Sequence, residues 1–463
     1  MTSPITADEV HRSLGRHLLT DGYPLVMDLE KSSGSRIYDL RTGRWFLDFF
    51  SFYATRPVAL NHPKLRDPEY LSTLTRAASV NPTNSDVYTR EMAAFVETFE
   101  RVAMPKELPL MFMISGGAVA VENALKAAFD WKVRRNFRRG EQTERGQQVL
   151  HLKEAFHGRA GYCLSLTNTA DAGKYEYYPK FPWPRILNPK LRFPVTEAVL
   201  EEVALAEAES LRQAKEAFLR HRDDIACVIL EPIQGEGGDN HFRPEYLRAL
   251  RDLAHENEAL FIFDEVQSGL GLTGRMWAHQ HLEVTPDLMV FGKKTQVCGV
   301  LAGKILDEEP RNVFRLTNRI DSTWGGNLAD MVRCGRYLEI IEAEHLVDNA
   351  ARKGLDLQAS LRQLQDKWPA LVSNARGVGL MCAFDLNDPK ARDALVQAAY
   401  DEGLLLLKGG FRSVRIRPAL DVTDRDLAEF QFLLDRAVAR LAAGDIVEPV
   451  TERRRAHRTG PSS

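Results

Sequence analysis

The chain is short of cysteine. It has five in 463 residues, Cys163, Cys227, Cys298, Cys334 and Cys382, odd in number and never spaced C-x-x-C. That scarcity excludes a disulfide framework and a thiolate zinc site, and it suits a reducing compartment. An excess of either charge is also missing. The 61 Lys+Arg against 64 Asp+Glu leave a formal net charge of -3, so no general attraction to nucleic acid or to an anionic membrane is expected. No run reaches the ~18 apolar residues that span a bilayer. The opening Met1-Thr2-Ser3-Pro4 leads into charged residues without the apolar stretch of a secretory signal. Internal repeats and low-complexity segments are absent too. What remains is ordinary globular composition, 44% hydrophobic and 27% charged. At ~150 residues per domain the length allows two or three domains. The expectation is a soluble, cytoplasmic protein with small-molecule partners, no nucleic acid, no membrane and no metal.

Thr6-Ala7-Asp8-Glu9 reads as a capping box opening a short helix. Residues 36 to 49 alternate around Thr42-Gly43, the pattern of a hairpin. Five apolar runs follow, at 110–114, 149–152, 227–230, 260–263 and 288–291, separated by helical stretches such as 116–135 and 195–221. Runs apolar on both faces belong to a parallel sheet covered by helices on both sides, so the fold class is α/β. The proline-rich stretch from Pro179 to Pro194 reads as an extended surface excursion. From about 331 a smaller α+β domain is expected. The predicted division is an N-terminal segment (1–60) packing with the small domain, a large domain (61–330), the small domain (331–450) and a basic tail (451–463).

Ligands of parallel sheets bind at the carboxyl ends of strands. After the first run comes Ser115-Gly116-Gly117-Ala118, whose small residues at a helix start leave amides free for a phosphate; a tight turn explains the glycines equally well. After the second comes Phe156-His157-Gly158-Arg159, able to stack a ring and bind a carboxylate, or simply a core phenylalanine beside a surface arginine. The fourth run ends in Asp264-Glu265 and the fifth in Gly292-Lys293-Lys294. An acid buried at a strand end needs a positive partner. An acid and a lysine on the ends of one sheet suit a pyridine cofactor, the acid protonating the ring nitrogen and the lysine forming the covalent link.

In order and spacing, Ser115 through Glu122, Phe156 through Arg159, Asp264 through Gly269, Pro286 through Lys293 and Ser322 through Asn327 resemble the motifs of the class III aminotransferases. These are pyridoxal 5'-phosphate enzymes of fold type I, with a mostly parallel sheet in the large domain. Within that family, Gly292 through Gly299 and Ser322 through Asn327 are most similar to the lysine 6-aminotransferase branch. The resemblance implies that Lys293 carries the cofactor; residue chemistry alone does not separate it from Lys294. It implies Asp264 on the pyridinium nitrogen, Gln267 near the phenolic oxygen and substrate, Phe156 on the ring face, and the Gly117 and Ala118 amides on the phosphate. Ala118 and Val119 stand where the commoner family form has Ser and Glu, so one hydroxyl contact is lost. Thr323 would reach the phosphate from a neighbouring subunit, implying a homodimer with shared active sites.

A transaminase of this kind must accept both L-lysine and 2-oxoglutarate or L-glutamate. An arginine near the cofactor suits the α-carboxylate of glutamate but faces bare methylenes when lysine reacts through its ε-amine. The resemblance implies that Arg159 grips the distal carboxylate, Arg415 the α-carboxylate, and that Glu236 neutralises Arg415 when lysine is bound. The glycines around Glu236 are consistent with a backbone either mobile or close-packed. Without the resemblance, Glu236 reads as a solvated loop carboxylate. Ornithine, 4-aminobutyrate or diamine transaminases share these catalytic residues and are the alternatives. A decarboxylase or aminomutase, and a non-catalytic pyridoxal-binding regulator, are more distant ones. His279-Gln280-His281 with Glu283 has only a superficial metal-ligand spacing, and the cysteines read as core residues.

Overall fold

A computed structural model of the protein describes residues 5–445; the expected basic tail lies outside them. All five apolar runs become strands of one seven-stranded sheet. In chain order its strands are Leu110–Ile114 (β1), Gln148–Leu152 (β2), Arg185–Ile186 (β3), Ile225–Leu230 (β4), Leu260–Asp264 (β5), Leu288–Phe291 (β6) and Cys298–Ala302 (β7). Their spatial order is β1-β7-β6-β5-β4-β2-β3. Alternate residues of a central strand serve opposite faces, as the pleat requires. Cys227, Ile229, Leu260 and Ile262 pack beneath the helix Gly117–Arg138, while Val228, Phe261 and Phe263 pack with Leu247 and Leu250 of the helix Pro244–Glu256. Two helical layers therefore keep both faces dry, and the strands read as unbroken apolar runs.

Two features differ from the sequence expectation. The sheet is mostly parallel, as the resemblance implies, but β7, not foreseen as a strand, runs antiparallel to both β6 and β1. The segment 292–297 between β6 and β7 is much shorter than the dozen or so residues of a parallel crossover, so the chain must fold straight back. The proline-rich stretch is extended and exposed over 179–182, as expected, but from Trp183 it enters the fold. Arg185–Ile186 adds the edge strand β3, Trp183 is 8% exposed, and the Phe181 and Trp183 rings stack with centroids 5.0 Å apart.

A second, antiparallel sheet comprises Ser373–Val378 (β8), Met381–Asp385 (β9), Leu407–Gly409 (β10) and Ser413–Ile416 (β11), ordered β8-β9-β11-β10. The hairpin Arg36–Tyr38 and Trp45–Asp48 turns at Thr42-Gly43, and Leu404–Leu405 joins it in parallel. At the N-terminus, the Glu9 carboxylate accepts the Thr6 amide at 3.1 Å and the Thr6 hydroxyl at 2.9 Å. The helix Leu328–Ala343 packs on Pro68–Val80 and Arg90–Val102. No helix among the described residues is long and apolar enough to cross a membrane.

The two sheets are joined through charge. The loop 235–239, which leaves β4 by way of Ile233–Gln234, is clamped to the small sheet by two buried arginines. Arg417, just past β11, holds the Asp239 carboxylate at 2.5 Å with both side chains fully buried. Arg376 of β8 donates to the Asp239 carbonyl at 2.9 Å, to the Gly238 carbonyl, and to Asp385 at 2.8 Å. Replacing Arg417 by Leu leaves Asp239 as an unpaired buried charge. The expected cost is about 3–5 kcal/mol, read as a lower urea midpoint by intrinsic fluorescence; an unchanged midpoint would contradict the clamp.

Candidate active site

The carboxyl ends of β2, β4, β5 and β6 open on a cavity of about 300 Å³. Its walls are Gly117, Ala118, Val121, Phe156, His157, Gly158, Arg159, Glu231, Asp264, Val266, Gln267 and Lys293. A larger cavity, about 410 Å³, lies between the helices Pro68–Val80, Arg90–Val102 and Leu328–Ala343, but its walls hold no amine nucleophile. Chemistry therefore belongs to the smaller one.

Strand ends sort neighbouring residues to opposite sides. Asp264 faces the cavity, whereas Glu265 is buried away from it on His279 Nδ1 at 2.9 Å and on the amides of Ala278 and His279. Lys293 lines the cavity, whereas Lys294 points elsewhere and gives its amine to the Gln267 carbonyl at 2.8 Å. Lys293 has φ +54°, a left-handed conformation that costs a side-chain-bearing residue about 1 kcal/mol or more. The turn Lys293–Thr295 imposes it, aiming the side chain inward directly after β6. Its amine forms no ion pair within 4 Å among the described residues. Burial first, then the charge of Arg415, bring this amine down to about 8, against the opposing pull of Asp264 and Glu236.

Asp264 is held on both oxygens. His157 Nδ1 donates to one at 2.8 Å and the Val266 amide to the other at 3.1 Å. His157 is fully buried, fixing the carboxylate from behind. Sequence reasoning passed over this role, although His157 stands inside the quoted Phe156 to Arg159 motif. Glu231 was also missed. Its carboxylate accepts the Phe156 amide at 3.0 Å and the Gly235 amide at 2.9 Å, so it braces two walls of the site. Burial lifts it to about 7, with His157 opposing and Asp264 adding. Its signal was an acid one residue beyond a strand wholly buried.

Across the cavity the helix Gly117–Arg138 begins at Gly116, φ +96°, with no side chain capping it. Its first amides and positive dipole end are open to an anion. Gly158 lies beside it at φ +123°, where a Cβ would come 2.7 Å from the Ala118 Cβ, so the wall closes only with glycine there. Arg159 reaches over the Phe156 ring at 6.0 Å. Thr323 does not line this cavity. It is exposed, and its carbonyl accepts the Ser85 hydroxyl at 3.0 Å.

Beyond Gln267 stand the remaining charges. Arg415 of β11, side chain 2% exposed, binds Glu236 at 2.6 Å and the Gln267 side-chain oxygen Oε1 at 3.0 Å, and Arg417 shares that oxygen at 3.2 Å. With its oxygen committed to two guanidiniums, Gln267 keeps its amide nitrogen as a free donor. Glu236 also binds Lys174, a residue not singled out from sequence. Burial would raise Glu236, but Arg415 and Lys174 pull it down to about 2. His279 and His281 are engaged with Glu265 and the Thr273 carbonyl. All five cysteines are buried, and burial raises their thiols, Cys163 to about 12.

An uncapped helix start, a flat aromatic wall, an inward lysine and a braced carboxylate form a donor set that fits pyridoxal phosphate. Residues 20–438 match the family Aminotransferase class-III. The chain belongs to the class-III aminotransferases. Among its relatives, the L-lysine-epsilon aminotransferase of Mycobacterium tuberculosis is 51% identical over 425 residues, covering 92% of this chain and 94% of that one. The protein of the same name from Streptomyces clavuligerus is 48% identical over 438 residues, covering 94% and 95%. A solved lysine aminotransferase from M. tuberculosis superposes with a TM-score of 0.92 at 50% identity, covering 94% of this chain and all of that one. As in other class-III aminotransferases, the cofactor here is pyridoxal phosphate, and its covalent capture needs a neutral amine. Loading of cofactor-free protein should therefore accelerate as pH rises and level off above about 8, followed by visible absorbance. Acceleration continuing toward 10.5, the ordinary lysine value, would show that Lys293 is not depressed.

Proposed function

We propose that the protein transfers the ε-amino group of L-lysine to 2-oxoglutarate, giving 2-aminoadipate 6-semialdehyde and L-glutamate in two half-reactions on one site. The observation that carries this reading is the Arg415–Glu236 pair beside the Lys293 cavity. A site for α-amino acids alone needs only the arginine. A site that also takes a terminal amine needs a carboxylate to neutralise that arginine when bare methylenes lie opposite it. The curated relatives named for lysine, close to half identical over nearly the whole chain, favour lysine over ornithine, 4-aminobutyrate or a diamine.

When bound, pyridoxal phosphate supplies an electrophilic carbon and an electron-accepting ring. In this reading Lys293 would hold that carbon, and its amine would move the proton from the substrate's ε-carbon to that cofactor carbon, acting as base and then acid. Asp264, fixed by His157, keeps a proton on the ring nitrogen. Gln267 would donate its amide to the phenolic oxygen, Phe156 would cover the ring, and the Gly117 and Ala118 amides would hold the phosphate. Arg159 binds the distal carboxylate of either substrate and Arg415 the α-carboxylate of 2-oxoglutarate. The reading includes a homodimer in which Thr323 completes the partner's phosphate site, and a cytoplasmic location.

The test is a single-turnover spectrum of holoenzyme mixed separately with L-lysine, L-ornithine and 4-aminobutyrate. Lysine should bleach the yellow cofactor fastest and 2-oxoglutarate should restore it; faster bleaching by ornithine would move the donor. The Lys293→Ala variant should lose turnover altogether, and retained transamination would remove Lys293 from its role. In Glu236→Ala the lysine half-reaction should fall roughly ten- to hundredfold, for a buried partner left unmade, with the glutamate half-reaction less affected. The reverse pattern would sink the neutralising role.

A further inference from the structure

Glu236 is bound on both oxygens, by Arg415 on Oε2 and by Lys174 on Oε1. Lys174 closes the short turn Ala172–Lys174, outside every motif that carried the family resemblance. Its side chain is 15% exposed and lies 5.9 Å over the Phe156 ring. Asp171, its other acidic neighbour at 3.7 Å, is 65% exposed.

The backbone under Glu236 has nowhere to go. A Cβ at Gly235 would meet the Gln267 oxygen at 2.2 Å, and one at Gly237 would meet the Glu154 carbonyl at 2.5 Å. The Gly410 amide donates to the Glu236 carbonyl at 2.8 Å, and Arg376 grips the Gly238 and Asp239 carbonyls. Of the two states the glycines allowed, the close-packed one is realised. If Glu236 releases Arg415 to a substrate carboxylate, it does so by turning its side chain in place. A carboxylate turned loose in a site this buried is costly unless a cation already holds it.

We infer that Lys174 is that cation, a positioning residue that retains Glu236 when the α-carboxylate of glutamate or 2-oxoglutarate takes Arg415. This rests on the transaminase reading above. Charge balance supports it. Arg159, Lys174 and Arg415 are three cations; glutamate's two carboxylates and Glu236 are three anions. With lysine bound, Glu236 simply bridges Lys174 and Arg415, as the structure has it.

The experiment measures both half-reactions of Lys174→Met holoenzyme by stopped-flow bleaching, with L-glutamate and with L-lysine. The glutamate half-reaction should lose roughly tenfold or more in kcat/KM relative to the lysine half-reaction, mainly through KM, because the displaced Glu236 has no partner left. Lys174→Arg should restore the ratio. In a Glu236→Gln background, Lys174→Met should no longer change the ratio, since its effect runs through that carboxylate. Parallel loss in both half-reactions would instead mark Lys174 as a ligand of the shared distal carboxylate or a structural contact. That outcome, or an unchanged ratio, would overturn the inference. If neither amino acid bleaches the wild-type protein, the transaminase reading has failed instead.

Discussion

A buried guanidinium must be neutralised where it stands, and two of them stand side by side on one strand. Arg415 near the end of β11 and Arg417 just past it flank Ile416, both almost wholly buried, and both donate to the Gln267 side-chain oxygen. Their carboxylates, Glu236 and Asp239, come from one short loop on the other sheet. The loop must approach closely enough to bring both, which explains why glycines occupy 235, 237 and 238. The same pairing that joins the two sheets thus places a carboxylate on an arginine beside the catalytic cavity. In the proposed reading, stability and the capacity to take two differently charged substrates share one set of ion pairs.

The cavity itself follows from strand geometry. Successive residues at a strand's end face opposite ways, so Asp264 and Glu265 part company; the tight turn after β6 parts Lys293 from Lys294 in the same manner. One member of each pair faces the site and the other is consumed by the scaffold, Glu265 on His279 and Lys294 on Gln267. The β7 return reinforces this. By folding straight back after six residues it forces a tight turn at Lys293 and presses Cys298 against Gly292, where a Cβ would lie 3.0 Å from the sulfur. A lysine held in a left-handed turn cannot easily swing away from the cavity it lines.

The electrostatics suit the proposed exchange of carboxylates at Arg415. Burial alone would raise Glu236, but its cations outweigh this, while the same burial and Arg415 depress Lys293. One guanidinium therefore serves both groups. It keeps the carboxylate ionised and helps keep the amine available, and exchanging its partner for a substrate carboxylate need not change the net charge of the pair.

The sequence by itself determined the sheet, the dry strands and the residues at their ends, because apolar runs bounded by turns report burial on two faces, and acids or lysines immediately after them stand out. The motifs named the family on the same residues. Tertiary structure alone decided what those patterns leave open. Whether Lys293 or Lys294 faces the cavity depends on the turn after β6. The position of Glu231 after a buried strand and of His157 inside a motif marks them out, but not what they brace, which lies across the fold in Gly235 and Asp264. The β7 run Cys298–Ala302 is apolar enough for a strand, but its antiparallel direction follows from the short return, and the burial of Trp183 was hidden in a proline-rich segment whose composition suits a loop. Lys174 sits 62 positions from Glu236, and no periodicity links them. Charge pairing at that separation is fixed by how the chain closes in space, where desolvation selects partners that sequence distance cannot rank.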